Sequence, residues 1–269
     1  MNSITITIIC LLILLFSTTI GSAFVFFFKK EFGPKTNNVI LGFAGGIMVS
    51  ASLFGLILPS IEQSKELYPS ISFLPPILGF ILGGLLLWGM DKFIPHIHKN
   101  QHVPTEEGVK TDKVSPNLKF FFAVTIHNIP EGLSVGFACG LALHAINTGS
   151  ESALMYSALS LAIGIGIQNV PEGAAVSIPM LNEGISKPKS FLFGAASGIV
   201  EPIFAIAGLF LAQLSIITPW LLALAAGAMI YVTLDEILPE ARKAGYEHYG
   251  LWAFMIGFAI MMILEITLG

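Results

Sequence analysis

The chain is 269 residues long, 54% hydrophobic and only 11% charged, with a mean hydropathy of +0.81. Water-soluble domains carry about a quarter charged residues, so this composition argues against a soluble enzyme and for a chain that mostly faces lipid or other apolar helices. The net charge of −4 comes without a basic patch, which argues against nucleic acid as a partner; Cys10 and Cys139 both lie in apolar runs, which argues against a disulfide framework or a thiolate metal site.

In chain order, the first apolar run, 4–28, has about the length needed to cross a bilayer. No positive charge precedes it and Lys29-Lys30 follow it, the reverse of a secretory leader, so it reads as a retained first helix with its N-terminus outside. Gly33-Pro34-Lys35 leads to a second span, 37–62, and Tyr68-Pro69-Ser70 to a third, 72–95. The polar stretch from Lys92 to Lys119 contains His96, His98 and His102 and reads as a flexible cytosolic loop, about 96–116. Further spans follow at 117–145, 153–181, 187–213, 217–241 and 248–268, separated by short polar turns. The expected fold is therefore all-α and polytopic, eight transmembrane helices in a single domain over 1–269. With eight spans, twelve of the thirteen Lys and Arg residues fall in loops on one side, Lys65 being the exception. The positive-inside rule makes that side cytosolic and puts both termini outside.

The fourth and fifth spans carry the chemistry. His127-Asn128-Ile129-Pro130-Glu131-Gly132 recurs as Gln168-Asn169-Val170-Pro171-Glu172-Gly173. Residues three and four apart share a helix face, so His127, Asn128 and Glu131 point one way, as do Gln168, Asn169 and Glu172. Pro130 and Pro171 lack an N–H, which frees the carbonyls of Ile126 and Ile167. Two discontinuous helices facing each other across a pseudo-two-fold are expected. One cation site would hold His127, Glu131, Gln168 and Glu172; a neighbouring one would hold Asn128 and Asn169 with the same two glutamates as bridges. Imidazole with carboxylate suits zinc, and carboxylate with amide oxygen suits harder divalent ions. No Lys or Arg lies deep in a span to neutralise these acids, so a dication is the natural counter-charge.

Other spans add acids. Glu201-Pro202 lies midway along the sixth, and Asp235-Glu236 lies near the cytosolic end of the seventh, with Pro239-Glu240 beyond. Asp91 closes the third. Glu201 is the deepest and the best extra ligand; the others form an acidic string that could hand a cation to the cytosol. On the outer side Glu62 and Glu265 are weaker candidates for an entrance. Two other readings stay open: an intramembrane metal-dependent hydrolase, although the His-Glu-x-x-His string of zincins is missing, and a metal-gated sensor or channel.

The paired motifs resemble the fourth- and fifth-helix signatures of the ZIP (Zrt-, Irt-like) family of divalent metal transporters. Gln168 in the second copy, Glu201-Pro202, Asp235-Glu236-Ile237-Leu238-Pro239-Glu240 and Met90-Asp91-Lys92-Phe93-Ile94-Pro95-His96 are similar to its GufA-like branch. The resemblance implies a 3+2+3 fold in which helices 1–3 and 6–8 are inverted repeats around helices 4 and 5. It also implies zinc as transported substrate rather than cofactor, uptake into the cytosol across a cell membrane, and a homodimer. For the first metal it implies His127, Glu131, Gln168 and Glu172, capped by Met48. For the second it implies Asn128, Glu131, Asn169, Glu172 and Glu201. Some relatives have Asp at the position of Asn169 and His at that of Asp235, which bears on the second site and on the exit relay.

Overall fold

The computed structural model describes residues 3–27, 33–93, 96–98, 105–107, 116–145, 151–182, 184–242 and 245–268. In a bilayer each backbone polar group must find its partner within the protein, and the α-helix meets that demand within one segment. The described chain is accordingly helical almost throughout. Helix α1 covers Ser3–Ser22, α2 Pro34–Ser50 and α3 Leu58–Leu67, with α4 at Leu74–Phe93. Two three-residue strands, β1 (His96–His98) and β2 (Thr105–Glu107), pair antiparallel with His96 opposite Glu107. They replace part of the loop expected to be structureless; His102 lies outside the described residues, as do the side chains of His96 and His98. Helices α5 (Pro116–His144) and α6 (Glu151–Asn182) follow, then α7 (Lys187–Gly198), α8 (Val200–Leu211), α9 (Thr218–Val232), α10 (Leu238–Glu240) and α11 (Glu247–Leu268).

Among the described residues six helical stretches are long and apolar enough to cross a membrane: Ser3–Phe26, Pro34–Leu67, Ser152–Leu181, Lys187–Leu211, Thr218–Ile237 and Glu247–Leu268. The expected third and fourth spans coincide with α4 and α5, which fall outside that set. The helix breaks differ from expectation. Pro130 and Pro171 sit inside α5 and α6 without interrupting either helix. A discontinuity falls instead between α7 and α8, at Ile199. Pro202 explains it, because the N–H it lacks would have bonded the carbonyl of Gly198. Two π-helical segments were also not foreseen. Ala51–Ile57 joins α2 to α3, and Thr233–Ile237 joins α9 to α10. Such widened turns cluster at functional sites, and the second one carries Asp235 and Glu236.

Packing divides the helices into two groups. α5 and α6 lie against each other, with α1 and α7 on α6 and α8 on α5; on the other side α2 pairs with α11 and α4 with α9. Small residues allow the close pairings that membrane helices need in place of a hydrophobic driving force. The two decisive positions close the repeated motifs. At Gly132 a Cβ would collide with the backbone of Glu201 in α8, and at Gly173 with the backbone of Thr18 in α1. Each motif therefore ends where a flanking helix touches it main chain to main chain. Apolar side chains such as Phe16, Ile77, Leu85, Phe210 and Trp252 point outward and are largely exposed, the arrangement expected of lipid-facing surfaces.

Candidate metal centre

Where α5 and α6 cross, polar side chains from five segments meet in the interior. Asn128, Glu131, Asn169 and Glu201 are fully buried, Gln168 and His127 nearly so, and Glu172 partly. The carboxyl groups of Glu131, Glu172 and Glu201 are close enough to interact electrostatically, and Glu172 also feels Glu236. Stacking such groups is costly unless something positive or hydrogen-bonding compensates them.

The compensation is partial and comes from neutral amides. Gln168 donates through Nε2 to Oε1 of Glu131 at 2.5 Å, linking the two motif copies directly. Asn169 donates through Nδ2 to Oε2 of Glu201 at 2.5 Å, and Thr18 donates through its hydroxyl to Oε1 of the same carboxylate at 3.0 Å. Asn128 uses its Nδ2 on the backbone carbonyl of Ser197, at 3.0 Å, one residue before the end of α7. His127 Nε2 lies 3.4 Å from Oε1 of Glu236 on the π-helical segment.

What remains is a surplus of acceptors. Oδ1 of Asn128, Oε2 of Glu131, Oε1 of Gln168, Oδ1 of Asn169 and Oε1 of Glu172 are buried and accept no hydrogen bond. Buried polar atoms are nearly always satisfied, so each exception calls for a physical cause. Five unmet oxygens at one helix crossing form the environment a hard or borderline cation takes, since it needs oxygen donors and no protons. Among the described residues no three His, Cys, Asp or Glu side chains are grouped as a ready-made cage. The donor set here is mixed, with amide oxygens standing among the carboxylates.

The structure thus brings together His127, Asn128, Glu131, Gln168, Asn169, Glu172 and Glu201 from the expected set. It adds Glu236, expected farther along toward the cytosol, through His127. Asp235 is beside it on the same segment and is partly buried. Met48 is buried, takes a hydrogen bond from Thr233 on the second π-helical segment at 3.7 Å and packs with Leu87 of α4 and with Ala228 and Val232 of α9. Asp91 falls in the last turn of α4, and its side chain lies outside the described residues. Of the acids expected on the outer side, Glu62 is exposed, whereas Glu265 is only 8% exposed and lies near Ser160. Sequence reasoning missed Thr18 and the carbonyl of Ser197. A threonine in an apolar run carries no signal of its own, and a main-chain acceptor carries none.

A multi-pass helical membrane protein with an acid-and-amide centre between two proline-containing helices defines the class: an intramembrane cation-handling protein. The particular family follows from likeness to known proteins. Residues 117–265 match the family model described as ZIP Zinc transporter. The chain is 32% identical to the human protein named Zinc transporter ZIP11, with 94% of each chain covered. It is 33% identical to Zinc transporter ZIPB of Bordetella bronchiseptica, covering 94% of this chain and 79% of that one. Against Zinc transporter GufA of Myxococcus xanthus the identity is 32%, covering 89% of this chain and 90% of the relative. The chain belongs to the ZIP family of zinc transporters, and that membership sets the hydrolase reading aside.

Proposed function

We propose that this protein carries Zn²⁺, and other first-row divalent ions, into the cytosol through a binuclear site between α5 and α6. The observation that supports this most is the set of five buried acceptor oxygens without hydrogens to accept. A dication would satisfy them together and would neutralise Glu131 and Glu172. One position takes His127, Glu131, Gln168 and Glu172; the other takes Asn128, Asn169 and Glu201 with the two glutamates shared. Glu236, already beside His127, would receive the ion next, with Asp235 and Asp91 beyond it on the cytosolic path and Met48 capping the first position. Eight spans, both termini outside, a cell membrane and a homodimer complete the reading. The grouping of α5 and α6 with α1, α7 and α8 suits alternating access in which the ion-binding helices shift against the rest.

The test is uptake by purified protein in liposomes loaded with a fluorescent zinc chelator, wild type beside Glu131→Ala and Glu172→Ala. Saturable accumulation that both variants lose, with protein inserted in equal amount, is the expected result. Normal uptake in both variants, or linear flux without saturation, would remove the carrier reading.

A further inference from the structure

Thr18 and Glu201 occupy corresponding places on the two sides of the centre. Glu201 is brought in where its backbone meets Gly132 of the first motif, and Thr18 where its backbone meets Gly173 of the second. Both are fully buried. Helices α1 and α7–α8 are also the members that correspond in the inverted-repeat arrangement of the proposed function, on which this inference rests. Thr18 is therefore the counterpart of an acid, and it is bonded to that acid.

Its hydroxyl behaves unlike those of its neighbours. Thr7 and Thr19 in the same helix each donate to the carbonyl four residues back, the usual resting place for a helical threonine. Thr18 instead donates across to Oε1 of Glu201. The other carboxylate oxygen is held by Asn169, whose own Oδ1 accepts nothing. Glu201 thus has a neutral donor on each oxygen, while Glu131 and Glu172 each keep one oxygen open. Each oxygen of Glu201 keeps a second lone pair for a cation, but an ion shared by Glu201 and Asn169 needs the amide oxygen rather than the amide NH2 facing it. Turning the Asn169 amide withdraws Nδ2 and presents Oδ1 to the same place. Thr18 has no second group to present.

We propose that Thr18 is a positioning residue of the cation site: it holds Oε1 of Glu201 while Asn169 turns from donor to ligand, leaving Oε2 for the ion. Without the hydroxyl Glu201 can turn away from the cage, and the site binds zinc less tightly while its frame is unchanged.

Zinc uptake kinetics in liposomes and zinc binding by equilibrium dialysis in detergent would be measured on wild type, Thr18→Val, Thr18→Ser and Glu201→Gln. The Thr18→Val/Glu201→Gln double variant is included, with Thr18→Ala as a second hydroxyl deletion should Thr18→Val fail to fold. A hydrogen bond to a charged group is lost, so the half-saturating zinc concentration and the dissociation constant should each rise about tenfold in Thr18→Val. The maximal rate per reconstituted molecule should stay near that of wild type. Thr18→Ser should restore both constants. In the Glu201→Gln background Thr18→Val should add nothing to the binding defect, since the residue acts through Glu201. Unchanged constants in Thr18→Val, a Thr18→Ser variant as impaired as Thr18→Val, or a full effect in the Glu201→Gln background would each overturn the role. Zinc binding without uptake by wild type would instead remove the carrier reading and leave the role of Thr18 to be decided by dialysis alone.

Discussion

The two motif copies share a backbone plan and differ in what their first residue does. In α5 that residue is His127, which reaches away from the partner helix to Glu236 on the π-helical segment after α9. In α6 it is Gln168, which reaches toward the partner helix and donates to Glu131. The second residues differ less: Asn128 donates to the Ser197 carbonyl and also lies against the Glu172 carboxylate, while Asn169 donates to Glu201. The α6 copy therefore braces the centre from within, while the α5 copy connects it to the acids expected on the way out. A repeat supplies matching positions, and the side chain at each position then assigns one half to holding and the other to passing on.

The largest test exchanges those first residues. Loss of even an outer partner of a metal ligand costs about 10- to 100-fold in affinity. His127→Gln, which makes both copies alike, should lower zinc uptake at limiting zinc by at least about tenfold. Gln168→His should leave uptake measurable and favour zinc over manganese in competition, because imidazole suits the borderline ion. Equal losses in both variants would mean that the copies are interchangeable and that the division of labour is wrong.

A smaller effect is expected where the copies are alike. Gly132→Ala and Gly173→Ala each place a Cβ against a neighbouring backbone, and overpacking of this kind costs about 1–3 kcal/mol. Thermal unfolding of the purified protein in detergent should show the two destabilised by similar amounts. A large difference between them would show that the two main-chain contacts are unequal supports. Least is expected from Glu62→Gln, an exposed acid away from both copies. Its uptake should stay within about twofold of wild type, as for most exposed charges whose interactions are screened by solvent; a loss like that of His127→Gln would move an essential acid to the outer surface.

Much of the frame was legible in residue order because membranes impose simple rules. Apolar runs of spanning length gave α1, α2 and the later helices. The doubled motif gave the centre, since Asn and Glu at fixed spacing in such runs are costly to bury unless they bind something. Proline was harder to read. Pro130, Pro171 and Pro202 all remove a donor, yet only Pro202 lies beside a break, because whether the freed carbonyl is tolerated depends on what packs against it. The π-helical segments left no mark in composition. Partners were less legible than members: Asn128 and Asn169 were expected as equivalents, but one faces Ser197 and the other Glu201. Glu236 was expected in an exit relay, and its contact with His127 at 3.4 Å was not read from residue order. Thr18 was invisible for a further reason. Its usual bond lies within its own helix, and the close approach at Gly198, where a Cβ would fall 2.5 Å from that of Thr18, brings its hydroxyl to Glu201 instead.

The two glycine contacts have a consequence for how such a centre can change. Its walls at Gly132 and Gly173 are set by main chain against main chain, so the distance between the walls does not depend on which donors hang from them. Substitution at 127, 168 or 169 rewrites the chemistry offered to an ion without resizing the chamber. A lineage could thus move from one cargo to another through single exchanges, each folding as its parent did, so long as those two positions carry no side chain.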